Sequence, residues 1–181
     1  MARIIYKDGC EGQNRLECIE GIEIGLLNGQ KALIYPKYGK RTLLNLKYKE
    51  RWHDVGISEP AALRLRDNQA ATTALLDAGS PAAGFVSGFV SEKFGRFGLP
   101  TLLAAMEITE QRREIDELAK NIEGADLLKD FHGGVWACSR YNKGCGWIAY
   151  GGSGLAYGGD LCGSYLSVPL VLLSDTAYGV A

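Results

Sequence analysis

The feature that most constrains the fold is a block of helical periodicity, residues 67–124, that lies between two strand-like segments of the chain. Thr101 and Thr109 are candidate N-caps for its longest helix, and Gly124 ends it. Charged residues cover one side of this helix, and its apolar stripe consists of Ile108, Ile115, Leu118 and Ile122. The pattern predicts an amphipathic scaffold helix that packs one face on a core.

Two shorter helices are predicted upstream from capping residues and helix breakers. Asp67 or Asn68 is placed to cap a helix over QAATTALLDAG, which stops at Gly79. Ser80-Pro81 then offers a capping side chain and a proline at the first helical position, ahead of AAGFVSGFVSEKF. The middle of the chain is therefore expected to be helical.

Both flanks have the composition of β-strands. In the strand-rich N-terminal segment, residues 1–50, Asn28-Gly29 is a hairpin-type turn, and KALIYPKYGKRTLLNLKY predicts two strands joined through YGKR. In residues 133–173, glycine turns separate GGVWACS, GWIAY, GLAYGG and LSVPLVLL. Because strands and helices are segregated along the chain, we expect an α+β fold rather than a doubly wound α/β sheet.

Charge and hydropathy exclude several function classes. The net charge is −1, and the basic stretch YPKYGKRTLLNLKYKER mixes cations with apolar residues, as on the solvated face of a hairpin. We therefore expect no nucleic-acid partner. No apolar run approaches the length of a membrane-spanning helix, and MARIIYKDGCEGQ is not a signal peptide. The expectation is synthesis in the cytosol, with a virion tail or cell surface reached only by a non-classical route.

The segment Ile148–Tyr165, IAYGGSGLAYGGDLCGSY, is rich in glycine and tyrosine and lacks Lys, Arg, Glu and Gln. It is not a phosphate-binding loop, because no Lys-Ser/Thr pair or helix follows its glycines. Tyrosine interleaved with glycine and small polar residues is the composition of antibody-like binding surfaces. The same composition also suits a strand-turn region that closes a sheet, and both interpretations remain open.

Few residues suggest catalysis or metal binding. The five cysteines form no C-x-x-C motif, so free thiols are expected, and a Cys138–Cys162 disulfide stays open. His132 precedes Cys138 and Cys145, which leaves a cysteine-dependent enzyme as a weak alternative. The carboxylates are scattered without calcium-loop spacing, so no metal is expected.

The order of these motifs resembles that of a bacterial C-type-lectin-type domain whose variable members are targets of diversity-generating retroelements. The matching segments are LRDNQAATTALLDAGSPAAGFVSGF, GLPTLLAAMEI and GGVWACSRYN…GWIAYGG…SVPLVLL, and they cover the chain from about Asp67 to Leu173. Trp136 stands at the pattern's first tryptophan, Trp147 at its second, and Val168-Pro169 in its closing strand. The resemblance implies a single C-type lectin-like domain over residues 1–181.

The chain departs from the family pattern in several places. Ala137-Cys138 replaces the usual Ser-Ser, and Leu170 stands where Val is commoner. The calcium motifs Glu-Pro-Asn, Gln-Pro-Asp and Trp-Asn-Asp are missing, so the resemblance implies no calcium-dependent sugar binding and no cofactor. A related fold hosts formylglycine-generating enzymes, which use a cysteine pair. Beyond the cysteines themselves, this sequence has no matching constellation.

The resemblance further implies that the region 136–168 is diversified. As in an antibody, varied surface positions would be carried on a fixed scaffold. Adenine-directed mutagenesis of the first two bases of an Asn codon cannot create Lys, Glu, Gln, Met or Trp codons. Between Ala137 and Leu166, Lys143 and Trp147 are the residues of that excluded set. This pattern supports diversification and assigns Trp147 to the scaffold.

The implied function is therefore recognition of a macromolecular ligand, a host-surface protein or glycan. The recognising surface would be hypervariable and non-enzymatic. The natural setting of such a surface is receptor recognition by a phage. Trp136, Trp147 and Pro169 are assigned to the scaffold. An invariant adhesin or structural module of the same fold is the main alternative. The candidate contact residues are Cys138, Arg140, Tyr141, Asn142, Ile148, Tyr150, Gly152, Ser153, Leu155, Tyr157, Gly159, Asp160 and Tyr165.

Overall fold

Strands from both ends of the sequence meet in two main sheets. The computed structural model describes residues 1–43, 62–142, 145–150, 155–160 and 164–174. Its strands are β1 Arg3–Tyr6, β2 Ile19–Gly25, β3 Lys31–Ile34, β4 Gly39–Leu43, β5 Val90–Ser91, β6 Gly95–Arg96, β7 Val135–Asn142, β8 Cys145–Tyr150, β9 Leu155–Asp160, β10 Ser164–Ser167 and β11 Leu170–Leu173. The sheet orders are β1-β2-β3-β11, β4-β10-β7-β8-β9 and the small pair β5-β6.

The helices lie in the middle of the chain, as predicted. They are α1 Gln69–Asp77, α2 Pro81–Ser87, α3 Leu102–Glu110 and α4 Arg112–Ala119, with short 3₁₀ turns at Leu16–Cys18 and Leu128–Asp130. This mixture of helices with several mostly antiparallel sheets is compatible with the α+β class. Within the described segments of the chain, no helix has the length and apolarity needed to cross a bilayer.

The turn predicted at Asn28-Gly29 is confirmed. It joins β2 to β3 in an antiparallel hairpin, in which Leu26 N donates to Gln30 O at 2.8 Å. Gly29 has φ +84°, a left-handed conformation that glycine adopts without strain.

The prediction of a second hairpin, with two strands joined through YGKR, is wrong. β3 and β4 lie in different sheets: β3 pairs with β2 and β11, whereas β4 pairs with β10. The chain turns away at Pro36, which has no N–H to donate to a ladder. Beyond it, Asp126 Oδ2 accepts a hydrogen bond from Tyr38 N at 3.0 Å. β4 begins inside the predicted YGKR turn, and residues 44–48 of the second predicted strand lie outside the described residues.

The two short helices begin where their caps predict. Ser80 Oγ accepts a hydrogen bond from Ala83 N at 3.2 Å, and Pro81 is the first residue of α2. At α1 the two capping candidates have different roles. Asp67 Oδ1 accepts from Gln69 N at 2.8 Å, whereas the Asn68 side chain makes no capping bond and donates elsewhere.

The long predicted helix is divided into α3 and α4 at Gln111. Thr101 caps α3 as expected, because its Oγ1 accepts from Ala104 N at 3.2 Å. The prediction of Thr109 as a second cap is wrong: Thr109 lies inside α3 and its hydroxyl donates to Met106 O. Gly124 lies beyond the end of α4, with φ +86°.

The strands β7 and β8 are buried between two layers of helices. Their side chains facing α3 are Val135, Ala137, Trp147 and Ala149, which join the larger core cluster. The opposite face packs on α1 and α2 through Trp136, Cys138 and Ile148. The centre of this sheet therefore has no open face, which decides where a ligand could bind.

Candidate functional site

The two tryptophans assigned to the scaffold are buried. Trp136 has no exposed surface, its Nε1 donates to Thr42 O at 2.8 Å, and its ring meets Tyr165 edge-on at 4.7 Å between centroids. Trp147 lies on the other face, 4% exposed. Because Trp147 fills the larger core cluster and Trp136 fills the second, both positions are suited to fixing the sheet rather than contacting a ligand.

Pro169 is also buried, although it lies just before the closing strand and not within it. Its carbonyl oxygen accepts a hydrogen bond from Tyr35 N at 3.1 Å. A proline cannot donate to a ladder, so the position between β10 and β11 suits it better than the strand interior that the sequence predicted.

The prediction that Cys138 and Ile148 contact a ligand is wrong. Their side chains are 0% and 1% exposed and pack against α1 and α2. β7 is irregular here: the register passes from Trp136↔Ile148 directly to Arg140↔Gly146, so β7 has two extra residues between these pairs. Cys138 N donates to Pro100 O at 2.7 Å instead of to β8. Neither side chain can reach a ligand in this structure.

Several of the remaining candidates come together at one end of the sheet. Asn142, Cys145 and Asp160 are paired across β7, β8 and β9, and Arg140, Gly146 and Gly159 form the next row. We call this group the distal end, with the members Arg140, Tyr141, Asn142, Cys145, Gly146, Gly159 and Asp160. Residues separated by more than ten positions in sequence thus become neighbours about 5 Å apart across the strands.

Tyr141 is the exposed aromatic residue of the distal end. Its side chain is 41% exposed, and its ring meets Trp147 edge-on at 4.7 Å and 86°. The buried Trp147 therefore supports Tyr141 from below while one side of the tyrosine faces solvent. Among the described residues, no hydrogen-bond partner meets the buried Trp147 Nε1 or the buried Ser139 Oγ.

The other candidates lie at the opposite end of the same strands. Tyr150 pairs with Leu155 at the far end of β8, roughly 17 Å from Cys145 along the strand. The rings of Tyr150 and Tyr165 meet edge-on at 6.4 Å, and both are half-buried against the second core cluster. The candidate residues therefore do not form one continuous patch.

For several further candidates the structure describes the position in the strand, and the side chain lies outside the described part of the chain. This applies to Arg140, Asn142, Leu155, Tyr157 and Asp160, which lie in β7 or β9, with Tyr157 opposite Ile148 at mid-strand. Gly152 and Ser153 lie outside the described residues, as does Cys162 of the disulfide left open by the sequence.

Cysteine catalysis gains no support at Cys138. Burial raises the pKa of its thiol to about 12, outweighing the hydrogen bonding that lowers it, while His132 is exposed before β7. The thiolate required of a nucleophile is therefore disfavoured at neutral pH. In the described ranges, no three His, Cys, Asp or Glu side chains are grouped to hold a metal ion.

Burial of Cys138 predicts a contrast in thiol reactivity. In the native protein at pH 8, N-ethylmaleimide should label the half-buried Cys145 and leave Cys138 unmodified. The pH lies far below the pKa of about 12, so the Cys138 thiol stays protonated as well as inaccessible. Peptide mass mapping before and after unfolding in urea measures both sites. Labelling of native Cys138 as fast as Cys145 would contradict its position in the core.

Cys145 and Gly146 also belong to the distal end, although the sequence did not indicate them as contact residues. Their place depends on the register of β8 against two partners, which their own residue types do not encode. Comparison of the chain with protein families, with characterised proteins and with solved structures found no match.

Proposed function

We propose that this protein binds a macromolecular ligand through the distal end of its second sheet, on a scaffold of the C-type lectin type. In this proposal the region 136–168 is the target of a diversity-generating retroelement. The ligand is a protein or glycan on a cell surface, and the activity is recognition rather than catalysis.

The observation that carries the proposal is the pairing of Tyr141 with Trp147. An exposed tyrosine braced against a buried tryptophan presents a large amphipathic contact area with little remaining rotamer freedom. Binding then costs less conformational entropy than it would with a fully mobile side chain. Residues of this kind are enriched at binding hot spots.

The division between buried and exposed positions supports diversification. Trp147, a residue that mutagenesis of Asn codons cannot produce, is buried and belongs to the larger core cluster. Tyr141 is six residues earlier and exposed, so exchanging its side chain would leave that cluster intact. A diversified protein needs this separation, because varied residues must not unfold the scaffold.

The order of elements supports the C-type-lectin-type scaffold. A helical pair, α1 and α2, is followed by Leu99-Pro100-Thr101 at the start of α3. The first tryptophan then lies in β7, the second in β8, and Val168-Pro169 directly before β11. This is the order in which the resembling family arranges the same motifs.

Two display libraries test the proposal. The first randomises Arg140, Tyr141, Asn142 and Asp160, and the matched control randomises Trp136, Cys138, Ile148 and Ala149. We expect the first library to keep parental levels of display and protease resistance, and to yield binders to a purified surface glycoprotein. We expect the control library to lose both properties. Equal loss in the two libraries would refute the assignment of the distal end.

The neighbouring DNA tests the diversification separately. We expect an imperfect repeat of the segment that encodes 136–168, with mismatches at template adenines, and a reverse-transcriptase gene close by. If long flanking sequence from the source genome has neither, diversification is refuted, and the invariant adhesin of the same fold takes its place.

A further inference from the structure

The loop between β1 and β2 brings two cysteines together through two successive turns. Cys10 N donates to Lys7 O at 3.0 Å, and Gln13 N donates to Cys10 O at 2.9 Å. Gly9 and Gly12 are the third residues of these turns, with φ +78° and +77°, a conformation that favours glycine at this position. The turns fold the loop back on itself.

Cys18, the residue directly before β2, closes the loop. Lys7 N donates to Cys18 O at 3.0 Å. Lys7 is therefore bonded to both cysteines, since its carbonyl oxygen accepts from Cys10 N. Gln13 connects the same two cysteines a second time: its backbone N–H binds Cys10 O, and its Oε1 accepts from the Cys18 thiol at 3.4 Å. Four hydrogen bonds thus hold Cys10 beside Cys18.

The side chain of Cys18 also influences the Cys10 thiol. A hydrogen bond with Cys18 is the largest of the effects that raise the pKa of Cys10, ahead of burial and the charge of Glu11. Both cysteines are free thiols in this structure, Cys10 half-buried and Cys18 buried. Cys10 is therefore the cysteine that an oxidant in solution meets first.

We propose that Cys10 and Cys18 are a redox modification site, which forms an intramolecular disulfide when the folded protein meets a low-molecular-weight disulfide. The raised pKa of Cys10 keeps most of this thiol protonated near pH 7, so the reaction proceeds through its minor thiolate fraction and should speed up as the pH rises. That thiolate attacks the small disulfide and displaces one thiolate. The Cys18 thiolate then attacks the Cys10 sulfur of the mixed disulfide and displaces the second. Two protein thiols are oxidised, one small disulfide is reduced to two thiolates, and the two protein thiol protons are released to them or to solvent.

The fold favours this reaction because hydrogen bonds to the rest of the protein hold the loop in this conformation. Leu16 N donates to Glu123 O at 3.1 Å and Glu123 N to Asn14 O at 2.8 Å, which attach the loop to the end of the helical segment. The disulfide would restrict the unfolded chain, so the oxidised protein should melt about 5 °C higher than the reduced protein.

The experiment uses the full chain with oxidised glutathione as the probe. After incubation under native conditions and alkylation, peptide mapping should find Cys10 linked to Cys18, with a mass lower by two hydrogens. In this assay the Cys145→Ser control should form the link between Cys10 and Cys18 to the same extent as the parent. In Cys10→Ser the link should be absent, and the melting temperature should no longer rise on oxidation.

Three results would overturn the proposal. One is that both cysteines remain alkylatable after the treatment. Another is that Cys10 stops at the mixed disulfide with glutathione, and the third is that Cys10 links to a cysteine other than Cys18. Because the site lies in the loop between β1 and β2 of the first sheet, none of these results bears on the ligand proposed for the distal end.

Discussion

Replacing Trp136 by alanine should lower the free energy of unfolding by about 4 kcal/mol, the largest loss expected from any single side chain near the candidate site. Trp136 is fully buried in the cluster between the sheet and the helices α1 and α2. Its removal leaves a cavity there and deprives Thr42 O of the hydrogen bond from Nε1. Urea denaturation followed by circular dichroism measures the loss.

Two further variants separate the causes. Trp136→Phe keeps a ring in the cavity but lacks the N–H donor, so we expect an intermediate loss of about 2 kcal/mol. Tyr141→Ala removes an aromatic side chain that is 41% exposed and should cost about 1 kcal/mol or less. If Tyr141→Ala destabilises the protein as much as Trp136→Ala, the division into a fixed scaffold and a displayed end is wrong.

Features decided by neighbouring residues could be predicted from the sequence. The turn at Asn28-Gly29 and the caps Ser80 and Thr101 each depend on a few adjacent residues, and all three are present in the structure. The pairing of β4 with β10 could not be predicted in the same way. It joins positions about 120 residues apart, whereas the local pattern favoured a hairpin with β3.

The candidate site was predicted correctly only to a limited extent, for a similar reason. Cys138 and Ile148 were named as contact residues because they lie in the implied diversified region 136–168, but helices cover both faces of β7 and β8. A signal for this was available: Val135–Cys138 and Trp147–Ala149 are continuous apolar runs rather than alternating ones. Such runs are typical of strands that are buried on both sides.

A second large effect is expected at Asn68, which lies at the start of α1 and is 1% exposed. Its Nδ2 donates to Leu99 O at 2.7 Å and to Leu170 O at 3.1 Å, connecting α1 to the segment before α3 and to β11 of the first sheet. Asn68→Ala leaves both carbonyls without this donor and should cost about 3 kcal/mol. The measurement is urea denaturation at pH 7.

The close packing around Asn68 limits any compensation. A Cβ atom added at Gly98 would lie 2.7 Å from Thr72 Oγ1 and 3.0 Å from Asn68 Nδ2, so neighbouring groups have little room to move. Thr72 Oγ1 is itself engaged, since it donates to Asn68 O at 2.7 Å and accepts from Leu99 N at 3.0 Å. It cannot take over the role of the missing amide.

Asn68→Asp distinguishes the loss of a donor from the loss of packing. The side chain keeps its shape, but a carboxylate oxygen now faces two carbonyl oxygens in a buried site, so at pH 7 the cost should match or exceed that of alanine. These surroundings raise the pKa of the introduced carboxyl in the folded state, and its protonated form can donate again. The deficit relative to the parent should therefore shrink as the pH falls from 7 to 5 and grow as it rises. A deficit that is equal at both pH values would mean that the amide nitrogen of Asn68 does not face Leu99 O and Leu170 O.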